Sequence, residues 1–293
     1  MNTRNISFRS NRVRDVLARF HEELDSEYGS GEVGVFCEML FEAFLGWDRV
    51  RLLTSKEQTI DQSDLLRFHW ALEDLKKHRP IQHIIGYTEF CGSRIKVGPE
   101  VLIPRPETEE MVKSLTPVPS PTGEGCRILD LCTGSGCVAI ALKKAFPQAV
   151  VTAVDVSETA LAIAKENAES NNTDINFIHA DILDIDSIPS NHLYSMIISN
   201  PPYVTERERA RMQRNVLDYE PEQALFVPDD DPLRFYRAIA KIAARQLAAD
   251  GLLAVEINEA FADETAALLR GHGFSPTVHT DFRGKPRWIA ATH

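Results

Sequence analysis

The chain has 293 residues, room for about two domains at the usual ~100–200 residues each. With 43% hydrophobic and 26% charged residues, 15 Gly and 16 Pro, its composition excludes collagen, coiled-coil and low-complexity classes. A formal net charge of -11 opposes diffuse attraction to nucleic acid or an anionic membrane, and residues 106–293, with 17 basic and 27 acidic side chains, carry nearly all of the excess.

No stretch approaches the ~18 apolar residues of a membrane span, and the polar start MNTRNISFRSNRVRD lacks the apolar centre of a signal peptide, so cytoplasmic residence without membrane association is the expectation. Five cysteines, Cys37, Cys91, Cys126, Cys132 and Cys137, include no C-x-x-C pair, which points to reduced, packed thiols and no metal site.

Residues 1–80 read as a small helical bundle. Val13, Leu17, Phe20 and Leu24 form one apolar stripe, Phe36, Leu40, Phe44 and Leu45 a second, and Leu65, Phe68, Leu72 and Leu75 a third, with Pro80 closing the last helix. The bundle holds no clustered His, Cys or paired carboxylates, so it is either a recognition module or a cover for the second domain. Residues 81–105 mix short apolar runs with Gly86, Gly92 and Gly98 and predict a β-hairpin linker. LIPRPETEEM then places Glu107, Thr108 and Glu109 at a helix start, and TPVPSPTGEG, residues 116–125, is a Pro/Gly-rich connector.

From residue 106 onward strands and helices alternate. Strands are predicted at 127–131, 150–154, 176–179, 194–199 and 252–257, with helices near 138–145, 160–170 and 232–249 and a closing antiparallel pair near 276–279 and 288–291. Such alternation builds a Rossmann-like, mainly parallel α/β sheet with ligands at the carboxyl ends of its strands.

Four strand ends carry chemistry. ILDLCTGSGCVAI runs from a strand through Cys132, Thr133, Gly134, Ser135 and Gly136 into a helix, a turn whose glycines let backbone N–H groups approach a ligand. It lacks both the G-x-G-x-x-G spacing and a P-loop lysine, which favours a nucleoside-type ligand ending in a carboxylate and an amine over a polyphosphate. Asp155 ends the next strand, where an acid accepts ribose hydroxyls or caps a helix. Asp181 comes just after the third strand, placed to accept from an adenine amino group while Ile182 packs on the ring. Last, YSMIIS runs into Asn200, Pro201, Pro202 and Tyr203. The prolines stiffen this corner. The Asn200 side-chain oxygen and Pro201 carbonyl can accept both N–H groups of a conjugated amine or amide, and Tyr203 can stack on the planar group.

ILDLCTGSGCVAI, Asp155, Asp181 and NPPY, in that order, resemble the S-adenosylmethionine-dependent methyltransferases, and PIQHIIGYTEF, LIPRPETEE and YEPEQAL resemble more narrowly the HemK/PrmC family of release factor glutamine N5-methyltransferases. The resemblance implies a helical substrate-recognition domain at 1–80, a hairpin linker at 81–105 and a methyltransferase domain at 106–293. It implies peptide chain release factors as protein substrate, methylated on the glutamine of a Gly-Gly-Gln loop. Cys132 to Gly136, Asp155, Asp181, Ile182 and Asn200 would hold S-adenosyl-L-methionine. Asn200, Pro201, Pro202 and Tyr203 would hold the glutamine amide, with Asn200, Pro201 and Tyr203 catalytic. Departures from the family pattern are Cys132 in place of a glycine, at a position expected to be permissive, DDDPL at 229–233, and EINEA at 256–260. Competing readings are glutamine methylation of a large-subunit ribosomal protein, N6-adenine methylation of nucleic acid, and a scaffold without catalysis. The acidic balance argues against stable nucleic-acid binding, with RERARMQR the only basic run near the site.

Overall fold

The computed structural model describes residues 8–116, 126–189, 192–281 and 283–293, so the connector beyond Thr116 lies outside the described residues. The chain divides into two compact units, one running to Gly86 and including Arg214–Tyr219, the other comprising Tyr87–Gln213 and Glu220–His293.

The first unit holds α1 (Val13–Tyr28), α2 (Ser30–Leu45), α3 (Arg49–Thr54), α4 (Gln62–Leu75) and α5 (Ile81–Ile85). In α1 the buried residues are Val13, Val16, Phe20 and Leu24, so Val16 takes the place expected for Leu17. Gly29, at φ 80°, breaks the chain between α1 and α2, and Gly46 ends α2 in the left-handed region. The buried face of α2 is centred on Val33, Phe36, Cys37, Leu40 and Phe41. Phe44 instead sits at the margin, where the Arg67 guanidinium lies 4.2 Å from its ring centroid. Phe41 and Phe68 meet at 4.5 Å between centroids in the middle of this core. Truncating either would cost about 3–5 kcal/mol. Residues 81–85, expected to begin the hairpin, are helical: Pro80 precedes the turn, Ile81 is buried in the first core and Gly86, at φ 86°, stops it.

The second unit opens with a hairpin narrower than expected, β1 (Tyr87–Phe90) and β2 (Ser93–Lys96), turned through Cys91 and Gly92 at positive φ. Its apolar residues Phe90 and Ile95 join the core of the second unit. There follow α6 (Pro106–Leu115), β3 (Arg127–Leu131), α7 (Cys137–Ala145), β4 (Val150–Asp155), α8 (Glu158–Ser170), β5 (Asn176–His179) and β6 (Tyr194–Ser199). Then come β7 (Val204–Thr205), α9 (Arg214–Leu217, counted with the first unit), β8 (Phe226–Val227), α10 (Arg234–Gln246), β9 (Leu247–Glu256), α11 (Ala262–Gly271), β10 (Ser275–Thr280) and β11 (Pro286–Thr292). Seven strands form one sheet in the order β10-β11-β9-β6-β3-β4-β5, parallel from β9 to β5, with β10 and β11 an antiparallel edge.

Alternation along the strands divides the apolar side chains between two cores. Ile128, Ala153 and Ile198 face the layer containing α7, whereas Leu129, Val154 and Ile197 face the layer containing α10. The order of the strands reverses at β3, flanked by β4 and β6, which opens a crevice at their carboxyl ends. β9 starts five residues before its expected position. Asp250 and Gly251 break the apolar pattern there, and the pairing with β6 shifts register between Tyr194 and Met196.

Candidate active site

The crevice is lined by residues from every strand end that the sequence marked. Cys132, Thr133, Gly134 and Ser135 form one wall, Asp155, Asp181 and Ile182 a second, and Asn200 and Pro202 a third. Gly136, Pro201 and Tyr203 are not among the lining residues. Residues that the strand-end pattern does not mark as site residues also line it, Asp130, Thr108 and Glu100 among them.

The turn after β3 is shaped by its backbone. Cys132, Gly134 and Gly136 have φ of 61°, 54° and 79°. The expectation that residue 132 is permissive is therefore corrected: a side chain there occupies the left-handed region, at a cost of about 1–2 kcal/mol, and glycine would not. At Gly136 a Cβ would come within 3.0 Å of the Ala164 Cβ, because α7 starts hard against α8. Thr133 N–H donates to Val154 O at 3.0 Å, and Gly134 N–H to Asp155 Oδ2 at 2.8 Å, so β4 holds the turn. From α8, the buried Asn167 donates to Ser135 O at 2.9 Å and to Lys96 O at 3.0 Å, and accepts from Lys96 N–H at 2.7 Å.

Asp155 also accepts from Ser157 N–H at 2.9 Å. Ser157, not Asp155, is the residue whose side chain caps α8. Burial raises the Asp155 carboxyl above its ordinary value, against three backbone donors that lower it. Asp130 is 1% exposed and accepts from the Thr133 hydroxyl at 2.6 Å. Burial, with Asp155 adding repulsion, pushes it up to about 7. Asp181 is exposed and accepts from Leu183 N–H at 2.9 Å, while Ile182 is buried behind it. Neither lysine, arginine nor histidine lines the crevice among the described residues.

At the third wall Ser199 Oγ donates to Leu131 O at 2.7 Å, tying the end of β6 to the end of β3. Asn200 Nδ2 donates to Thr108 Oγ1 at 3.1 Å, and Thr108 Oγ1 donates to Glu256 Oε2 at 2.5 Å. The other Glu256 oxygen accepts from Tyr203 Oη at 2.9 Å. Burial raises both the Glu256 carboxyl and the Tyr203 phenol, and the two hydroxyl donors oppose the rise at Glu256. The departure at 258 is built in: Asn258 Nδ2 donates to Tyr203 O at 3.1 Å and to Glu208 Oε2 at 2.9 Å, fastening the NPPY corner from behind.

Three titratable residues outside the crevice lining, Glu220, Glu109 and His179, are engaged by other groups. Glu220 pairs with Arg105 at 2.7 Å, Glu109 with Lys113 at 2.7 Å, and His179 Nε2 lies 2.9 Å from Val156 O. In the basic run, Arg207 pairs with Asp229, Arg209 with Glu206 and Glu222, and Arg214 with Asp218, so most of its charge is balanced locally.

A family model described as the methyltransferase small domain matches residues 106–220, and one described as the PrmC N-terminal domain matches residues 15–86. A release factor glutamine methyltransferase of Flavobacterium psychrophilum is 40% identical over 280 residues, covering 94% of this chain and 98% of that one. The chain belongs to the release factor glutamine methyltransferase family. Its relative of the same description in Bacteroides thetaiotaomicron is 40% identical over 277 residues, with 94% and 98% covered. A solved protein-(glutamine-N5) methyltransferase (release factor-specific) from Alicyclobacillus acidocaldarius is 30% identical, covers 67% of this chain and 97% of that one, and has a TM-score of 0.42. Among the described residues no helix is long and apolar enough to cross a membrane.

Proposed function

We propose that this chain transfers a methyl group from S-adenosyl-L-methionine to the side-chain amide nitrogen of the glutamine in the Gly-Gly-Gln loop of peptide chain release factors. The observation that carries the reading is the orientation of Asn200: its NH2 is tied back to Thr108 at 3.1 Å, which leaves the side-chain oxygen for a substrate N–H in the same crevice as Asp155 and Gly134.

The donor set suits this cofactor. Asp155, Asp181 and Glu100 line the crevice without an opposing basic side chain among the described residues, a lining that repels polyphosphate and attracts a ligand bearing sulfonium and ammonium charges. Asp155 would accept from the ribose hydroxyls with the lone pairs not used by Gly134 and Ser157, Asp181 and Ile182 would hold the adenine, and the turn from Cys132 to Gly136 would hold the amino-acid end. Bound there, S-adenosylmethionine supplies a methyl group made electrophilic by the adjacent sulfonium.

An amide nitrogen is a poor nucleophile because its lone pair is delocalised into the carbonyl. Asn200 Oδ1 and the Pro201 carbonyl, each accepting one N–H, would draw that lone pair out of conjugation, and Pro202 lines the crevice beside the planar group, with Tyr203 behind it bonded to Glu256. Positioning and fixed dipoles supply most of the acceleration, and the proton leaves afterwards through the same acceptors or water, so no strong base is needed. Local pairing of Arg207, Arg209 and Arg214 supports a protein substrate over a nucleic-acid backbone, since arginines already bound to carboxylates are poor phosphate ligands.

Transfer of labelled methyl from S-adenosylmethionine to purified release factor, ribosomal protein, DNA and no acceptor tests the proposal. Label should enter the release factor and vanish when its Gly-Gly-Gln glutamine is replaced. Label entering DNA alone, or ribosomal protein alone, would refute it.

A further inference from the structure

We infer that Thr108, held by the buried Glu256, is a positioning residue that decides which edge of the Asn200 carboxamide faces the substrate. The two edges of a carboxamide are nearly equal in shape and opposite in function: the oxygen accepts from a substrate N–H, whereas the NH2 would repel it. Shape alone cannot choose between them. The choice comes from a chain of donors that starts at a carboxylate. Glu256 is 3% exposed, and its ionised form, which the Thr108 and Tyr203 hydroxyl donors favour against the opposing effect of burial, only accepts. One of its oxygens is taken by Tyr203 Oη at 2.9 Å, the other by Thr108 Oγ1 at 2.5 Å.

A threonine hydroxyl has a single proton. Once that proton points at Glu256, Thr108 can offer Asn200 only a lone pair, and Asn200 must answer with Nδ2, at 3.1 Å. Reversing the carboxamide would turn the Thr108 proton away from Glu256. A buried carboxylate oxygen would then lose its donor, the more expensive of the two losses. Thr108 lines the crevice but is only 2% exposed, so bulk water competes poorly for its hydroxyl. The polarity of the chain therefore runs outward from β9 through the start of α6 to the end of β6, three elements far apart in sequence. This inference rests on the amide-methylating reaction proposed above.

The test uses the full chain with S-adenosylmethionine and release factor. Thr108→Val keeps the shape and removes the hydroxyl, and should lower kcat about 10- to 100-fold with little change in KM. Thr108→Ser should stay within about threefold of wild type. In an Asn200→Ala background, Thr108→Val should add no further loss, because its effect passes through Asn200. A separate readout needs no turnover. The Asn200 side-chain amide protons, assigned by their absence in Asn200→Ala, should exchange slowly in wild type and Thr108→Ser, and at least about tenfold faster in Thr108→Val. Thr108→Cys, a weaker donor of similar size, gives an intermediate case should the valine chain fail to fold. Wild-type kcat in Thr108→Val, unchanged proton exchange, or losses that multiply in the double variant would each overturn the inference. A wild-type chain inert toward every acceptor, yet showing the exchange pattern, would instead overturn the proposed reaction and support the orienting contact.

Discussion

Replacing Asp130 by Asn should make the second unit progressively more stable than wild type as pH rises from 4 to 8. Asp130 is 1% exposed, so its charge has little access to solvent, and burial lifts its carboxyl from 3.8 to about 7. Between those values the folded chain keeps a proton that the unfolded chain releases. Rising pH therefore favours unfolding, and the loss is complete once the folded carboxyl has also ionised. A displacement of roughly 3 units at about 1.36 kcal/mol each sets a ceiling near ~4 kcal/mol. Asparagine retains an oxygen for the Thr133 hydroxyl, now at 2.6 Å from the carboxylate, and carries no charge to ionise. Urea melts monitored by Trp288 fluorescence, with Trp47 and Trp70 replaced by Phe in both chains, would report the second unit alone. The difference in unfolding free energy should widen steeply between pH 4 and 7 and level off above. A constant difference across that range would show that Asp130 is ionised throughout and that its burial is compensated by something other than a proton.

Three other variants probe the same crevice. Asn200→Ala should retain cofactor affinity by calorimetry while methyl transfer loses about 2–4 kcal/mol of transition-state stabilisation, and undiminished single-turnover rates would remove Asn200 from its assigned role. Asp155→Ala should weaken S-adenosylmethionine binding by roughly 10- to 100-fold, the worth of hydrogen bonds to a charged group, and an unchanged titration would contradict the ribose assignment. Gly136→Ala forces a side chain into φ 79° and against Ala164, so it should cost about 2 kcal/mol or more, seen as a fall of several degrees in Tm, with wild-type melting as the contrary result.

The sheet is legible in the sequence because its strands are short apolar runs rich in Val and Ile, bounded by turns, with polar residues at or just past their carboxyl ends. The local pattern misleads where packing overrules it. Residues 81–85 carry apolar residues and a glycine that suit a strand end, but Ile81 has the first core to enter and the segment folds as α5. Leu247 to Gly251 joins β9 although Asp250 interrupts the alternation, since the sheet neighbour β6 absorbs the irregularity. Within the crevice, Asp155, Asp181 and Asn200 stood out as polar residues just past apolar strands. Asp130 and Glu256 carry a similar signal, an acid closing or interrupting ILDL and LLAVE, and could have been marked by it. Thr108 could not: nothing in PETEE says that its hydroxyl meets a carboxylate 148 residues away.

The grip of Asn167 on both Ser135 and Lys96 changes where the catalytic half can be said to begin. A shortened chain starting at residue 106 would strip this sealed carboxamide of two of its three bonds, at about 1–3 kcal/mol for each group left bare. It would also release Lys144 from the Ser93 hydroxyl. The small ribbon from Tyr87 to Lys96 is thus a brace behind the glycine turn, and any excised version of this half should carry it.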